Sequence, residues 1–249
     1  MESKDKVETV NERLTKIFMA LTLFGLFGTA ISTFSKIDPG VIAPITTVLI
    51  VLLGATIVGL GFRNWVAIIA LLILCGGAEV IGVTTGFPFG KYEYTNRWWP
   101  TVALGEHHLY PLLIPFAWLL IVGSCYGILR TRFAKWPSVF LGALMATLID
   151  MPMERAMTHV FGYWKWNPVG PIFGAPIQNS IGWFVVSLAA ASILTIRETE
   201  IEARSSSRVL FAFCIFVAAC GVLHWPDPAW AFLFGAGIAA IWIYKPNRQ

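Results

Sequence analysis

Apolar residues run through this chain in blocks about as long as a bilayer is thick. A helix needs about 20 predominantly apolar residues to cross ~30 Å of hydrocarbon. Eight stretches meet or approach that length: Ile17–Phe34, Val41–Gly61, Asn64–Val83, Leu109–Leu129, Pro137–Met157, Gln178–Ile196, Val209–His224 and Ala229–Tyr244. Polar residues enter the fifth, and the seventh is short. The pattern predicts an all-α fold: a polytopic membrane helix bundle of about eight transmembrane helices. No connecting segment is long enough for a separate soluble domain, so residues 1–249 read as one membrane domain.

Composition strengthens this picture. The chain is 57% hydrophobic and 13% charged. A soluble domain has about 25% charged residues, and this chain could not cover a water-facing surface. Disorder needs low hydrophobicity and is excluded. The 4 cysteines, Cys75, Cys125, Cys214 and Cys220, all fall in apolar stretches and read as small buried hydrophobes, not as a disulfide framework.

Charge then orients the bundle. With the N-terminus in the cytoplasm, the inner segments hold 13 Lys/Arg: Lys4, Lys6, Arg13, Lys16, Arg63, Arg130, Arg132, Lys135, Arg197, Arg204, Arg208, Lys245 and Arg248. The outer side holds 5: Lys36, Lys91, Arg97, Arg155 and Lys165. Cytoplasmic loops carry the excess of positive charge, so both termini are expected inside the cell (inner) membrane. The net charge of +4 is thus a topology signal, and no nucleic-acid partner is expected. Glu2, Asp5, Glu8 and Glu12 do not suit a signal peptide, whose first segment is short and positive, so the first stretch is read as a mature helix.

What is missing narrows the chemistry. Four histidines are too few for the His-rich boxes of membrane di-iron enzymes. There is no Asp-Asp-x-x-Asp motif for Mg²⁺-dependent prenyl transfer, no Gly-x-x-x-x-Gly-Lys loop and no mid-helix Lys for a retinal Schiff base. Glu106-His107-His108 lacks a third histidine at ligand spacing and reads as loop polarity. No metal and no cofactor are expected.

Two segments resemble each other. One runs from Glu79 through Phe89-Gly90-Lys91-Tyr92-Glu93-Tyr94-Thr95 to Pro111 and Trp118. The other runs from Asp150 through Phe161-Gly162-Tyr163-Trp164-Lys165-Trp166-Asn167 to Pro176 and Trp183. Each has an acid, then Phe-Gly-x-aromatic-x-aromatic-polar, then a proline seven residues before a tryptophan. At about 1.5 Å per residue both acids lie ~20 Å from the inner face. Residues 64–129 and 137–196 are therefore expected to form parallel repeats, with a site between them. An ordinary interfacial aromatic belt is the plainer alternative, but it does not account for an acid beneath each string.

Glu79 follows a run of apolar residues, where a carboxyl costs about 2.5–3.5 kcal/mol on insertion scales. It reads either as a proton donor or as a helix-packing hydrogen bond. Asp150 and Glu154 are one turn apart and share a face if the helix runs through Pro152. Two adjacent carboxylates repel, so one tends to hold a proton, giving a usable acid/base pair. Pairing with Arg155 is the alternative. Asn179 either orients a carboxyl or a water, or caps a helix.

These stretches resemble the integral-membrane carotenoid-biosynthesis hydratase family, which includes γ-carotene hydratases and bisanhydrobacterioruberin hydratases. The matching residues are Gly82-Val83-x-Thr85-Gly86-x-Pro88-Phe89-Gly90-x-Tyr92-x-Tyr94-Thr95 and Leu113-Ile114-Pro115-x-x-Trp118. Further on are Asp150-x-x-x-Glu154, Gly162-Tyr163-Trp164-x-Trp166 and Gly174-x-Pro176-x-x-Asn179-x-x-Gly182-Trp183. The chain departs from the family where Arg155, not a proline, follows the second acid, and in the longer, polar Glu106-His107-His108 stretch. The resemblance implies addition of water to the terminal double bond of an acyclic carotenoid, giving a tertiary alcohol.

The residues suit that chemistry. A carboxylic acid protonates the alkene, aromatic faces steady the tertiary cation by ~0.5–2 kcal/mol each, and a second carboxylate handles the water. Glu79, Asp150 and Glu154 are the expected catalytic set. Phe89, Tyr92, Tyr94, Trp98, Trp118, Trp164, Trp166, Asn179 and Trp183 are the expected substrate-binding set. Glu79 and Asp150 are expected to face one cavity beneath the aromatic strings, with Asp150 favoured as the acid. The partners are the carotenoid, water and the lipid bilayer. A carotenoid cyclase, or a non-catalytic pigment- or lipid-binding membrane protein, would use the same aromatic box.

Overall fold

The computed structural model describes residues 2–196, 201–224 and 226–244, with side chains from residue 8 onward. Arg197, Lys245 and Arg248 of the charge count lie outside the described residues, as do the side chains of Lys4 and Lys6. Eight helical segments follow in order among the described residues: α1 (Glu2–Ser35), α2 (Ile42–Phe62), α3 (Trp65–Thr85), α4 (Ile114–Arg130), α5 (Lys135–Val160), α6 (Ile177–Leu194), α7 (Ala203–His224) and α8 (Pro228–Ile243). Six of these are long and apolar enough to cross a membrane by length and composition; α4 and α8 are shorter apolar helices. Large apolar side chains lie bare on the outer surface, among them Phe27, Phe34, Val66 and Ile73. A surface of that kind suits lipid, not water, and the chain is an integral membrane protein.

The helix ends follow from local sequence. Asn64 accepts a hydrogen bond from the Ala67 amide to start α3, and Gly86, at φ 81°, takes the left-handed turn that ends it. Asp227 caps α8 through the Ala229 amide, with Pro228 in the first turn. The fourth apolar stretch departs from expectation. Its first residues, expected to be helical from Leu109, form strand instead, and the helix begins at Ile114. Pro115 tolerates only the first turn of a helix, so α4 starts around it. The seventh helix starts earlier than expected, at Ala203, because the polar serines before Val209 turn inward: Ser205, Ser206 and Ser207 are buried.

Two short hairpin-like pairs cover one end of the bundle. Strands β2 (Thr101–Leu104) and β3 (His108–Pro111) pair antiparallel, with Glu106 and His107 in the exposed turn between them. Strands β1 (Tyr92–Tyr94) and β4 (Trp164–Trp166) pair antiparallel across the chain, with Tyr92 opposite Trp166 and Tyr94 opposite Trp164. The pairing extends through the Thr95 amide to the Tyr163 carbonyl and the Asn167 amide to the Lys91 carbonyl. Alternation in both strands turns the aromatic residues inward and leaves Glu93 and Lys165 exposed.

Asn96 and Asn167 sit on this cover and are exposed. With all four native cysteines buried, Asn96→Cys and Asn167→Cys are expected to react with an impermeant thiol reagent from the outer face of intact cells. Labelling confined to inside-out vesicles would invert the orientation drawn from charge.

Candidate active site

The inward rings of β1 and β4 do not hang free; each pair closes on one buried carboxyl group. Glu79, on α3, receives the Tyr92 hydroxyl at 2.6 Å and the Tyr94 hydroxyl at 2.9 Å on Oε2, and the Trp118 indole N–H at 2.9 Å on Oε1. Glu154, on α5, receives the indole N–H groups of Trp164 at 2.9 Å and Trp166 at 2.7 Å on Oε2. Its Oε1 takes an N–H of Asn179 at 3.0 Å. Each carboxyl thus gathers three donors from loops and helices far apart in sequence. Hydrogen bonds to a charged acceptor are about twice as strong as neutral ones, which suits a carboxylate in each place. Burial, and then the neighbouring Glu79, raise the Tyr92 and Tyr94 phenols well above the ordinary value, so both remain donors.

This arrangement corrects the sequence alignment of the two segments. Glu154, and not Asp150, receives the aromatic pair of its own loop, as Glu79 does for Tyr92 and Tyr94. The cause lies in α5, which runs unbroken through Pro152 and then widens into a π-turn over Ala156–Val160. Glu154 therefore stands closer to the strand than the spacing from Asp150 suggests. The phenylalanines differ as well. Phe89 is buried and clamped between two helices at glycines; a Cβ on Gly82 or Gly182 would come within 2.7 Å of its ring. Phe161 is only partly buried and stacks on Tyr163.

Asp150 sits one turn before Glu154, and Asn179 bridges the two. Both hydrogens of the Asn179 amide are used, one on Asp150 Oδ2 at 2.9 Å and one on Glu154 Oε1. Of its two readings, the carboxyl-orienting one holds: the N-cap of α6 is Pro176, and Asn179 lies within the helix. Asp150 Oδ1 is buried and has no hydrogen-bond donor among the described residues. Arg155 does not neutralise the pair; its Nε lies 3.1 Å from Asp227, at the start of α8. Glu106 and His107 approach each other only at 3.9 Å in an exposed turn. No group of three potential metal ligands occurs among the described residues.

An apolar cavity of about 70 Å³ lies beside this network. The three carboxyls do not line it, contrary to the expectation that Glu79 and Asp150 face it. The rings that Glu79 and Glu154 hold line it instead: Trp118 and Trp164, with Trp183 and Trp98. Trp118 and Trp183 stack with centroids 3.9 Å apart and planes 18° apart. Met153 and Met157 of α5 form part of the wall. They follow Asp150 by three and seven residues on α5. Tyr92, Tyr94 and Trp166 lie behind it, packed ring on ring: Tyr92 is 5.1 Å from Trp166, and Tyr94 is 5.9 Å from Trp164. Phe89 supports Trp118 from behind at 6.0 Å.

Sequence reasoning missed Thr47, Tyr163 and Phe216, which also border the cavity. Tyr163 stood within a matching string. Thr47 and Phe216 lie in apolar helices with no local signal.

A family profile described as carotenoid biosynthesis protein matches residues 39–243. The chain belongs to this family. The match takes in α2 through α8, with every carboxyl and every ring just described. A relative, bisanhydrobacterioruberin hydratase from Haloarcula japonica, is 28% identical over 128 residues, which is 49% of this chain and 42% of that protein. The chain thus aligns with less than half of that relative's length. No solved structure matches the chain.

Proposed function

We propose that this member of the carotenoid biosynthesis family is a hydratase, a hydro-lyase that adds water to the terminal double bond of an acyclic carotenoid. The observation that carries the reading is the pairing of an aromatic-walled apolar cavity with carboxyl groups fastened behind its rings. The hydratase name of the Haloarcula japonica relative points the same way. The apolar, aromatic lining of the cavity suits the branched hydrocarbon of an end group.

Asp150 is the proton donor in this mechanism, because one of its oxygens is uncommitted while all three described donors to Glu154 are in place. The carboxyl proton passes to one alkene carbon, the π pair forms the new C–H bond, and a tertiary cation remains. Trp118 and Trp183, stacked on each other, line the cavity in which that cation forms and attract it through their π density. An indole that donates its N–H to a carboxylate becomes more electron-rich, which strengthens the attraction. Glu79 thus acts through Trp118, as a positioning residue and not as the base for water. Water then forms the C–O bond, and the proton it loses restores the acid, so only water is consumed. The two loop segments, joined by the β1–β4 pairing, bring Trp98 and Trp164 to the aromatic wall.

Expression in a host that accumulates an acyclic carotenoid is expected to yield pigment heavier by one water per reacted end. Pigment of unchanged mass but altered absorption would point to cyclisation. Unchanged pigment that copurifies with the protein would point to a carrier.

A further inference from the structure

Two neighbouring side chains of the cavity lining, Trp98 and Tyr163, offer a donor and an acceptor. Trp98 is buried, lines the cavity, and its indole N–H has no acceptor among the described residues. Trp118 and Trp164 differ from it, because their N–H groups are held by Glu79 and Glu154. An unmatched buried donor is costly, so its retention calls for an acceptor that arrives with a ligand.

The acceptor side is Tyr163. Its ring stacks on Trp98, with centroids 5.2 Å apart and planes 11° apart, and it lines the same cavity. Its hydroxyl is 3.0 Å from the Thr47 hydroxyl. Thr47 gives its own hydrogen to the Ala43 carbonyl one turn back. A threonine has a single hydroxyl hydrogen, so both bonds form only if Tyr163 donates to Thr47. The Tyr163 oxygen is then left as an acceptor. Burial holds the phenol up at about 12, so it stays neutral.

A group that matches one N–H donor and one oxygen acceptor is a hydroxyl: it accepts through oxygen and donates through hydrogen. Hydrocarbon offers neither. We propose that Trp98 and Tyr163 form a hydroxyl subsite that holds the attacking water and then the tertiary alcohol of the product. This rests on the hydratase reading and deepens it. Protonation of the alkene by Asp150 does not need the subsite; capture of the cation does. Without held water the cation returns its proton and reforms the alkene. The subsite therefore sets the partition between hydration and reversal.

Trp98→Phe keeps the aromatic stack and removes the N–H. Membranes carrying the protein are given the acyclic carotenoid in deuterated water, and both hydrated pigment and recovered substrate are analysed by mass. The wild type is expected to hydrate. Trp98→Phe is expected to form about 10- to 100-fold less hydrated pigment, the range of a lost buried hydrogen bond. Deuterium is still expected to enter its recovered substrate at or above the wild-type level. Hydration at the wild-type rate, or hydration and exchange falling together, overturns the subsite. Should Trp98→Phe fail to accumulate in the membrane, Tyr163→Phe is read by the same ratio, with the same outcomes. A wild type that neither hydrates nor exchanges defeats the hydratase reading itself, which sets that failure apart.

Discussion

Replacing Asp150 by Asn is expected to abolish hydrated pigment while the helix bundle stays intact. Asn is close to Asp in size, and its amide oxygen still accepts from Asn179, so the bridge between α5 and α6 survives. What disappears is a transferable proton on the oxygen, among those of the three site carboxyls, that no described donor occupies. General acid catalysis contributes roughly 10²–10⁴-fold, and a simple alkene has no other route to its cation. Unlike Trp98→Phe, this variant should also lose deuterium exchange into recovered substrate, because the step it removes comes first. Pigment mass and label content read both. Hydration within a few-fold of wild type would remove Asp150 from the acid role and turn attention to Glu154, its partner through Asn179.

The largest expected loss of stability comes from Glu79→Ala. Three buried donors, the Tyr92 and Tyr94 hydroxyls and the Trp118 indole, lose their common acceptor. Each orphaned donor costs about 1–3 kcal/mol, so the total is roughly 3–9 kcal/mol before any cavity term. That is comparable with the whole stability of many domains. The variant should melt far below wild type in detergent, and Glu79→Gln, which keeps one accepting oxygen, should fall between the two. A Glu79→Ala protein that melts with the wild type would show that these rings find other acceptors. Glu79→Gln also tests the mechanism. Its Trp118 ring faces a neutral amide, so cation formation should slow even where the fold holds.

Much of the chain's character could be read from its sequence because it depends on local sums. Whether a segment suits lipid is set by its own length and hydropathy, so the helical stretches were visible one at a time. Helix boundaries were legible where the signal was local, as at Asn64, and shifted where pairing partners intervened, as at Leu109, drawn into β3. The matching strings around Tyr92–Tyr94 and Trp164–Trp166 marked rings that the strands turn inward, because alternation in a strand is also local.

What the residues do to one another was decided by tertiary structure alone. Asp150 and Glu154 carry the same functional group one turn apart, and nothing in their spacing says which one meets two indoles. The π-turn after Arg155 and the register of β1 on β4 decide it, and both depend on contacts far along the chain. The same holds for the cavity. Sequence placed carboxyls and rings together, but only folding put the rings at the wall and the carboxyls behind, because each carboxyl must collect donors once it leaves water. Thr47 reaches Tyr163 across 116 positions, a distance at which no local pattern carries information.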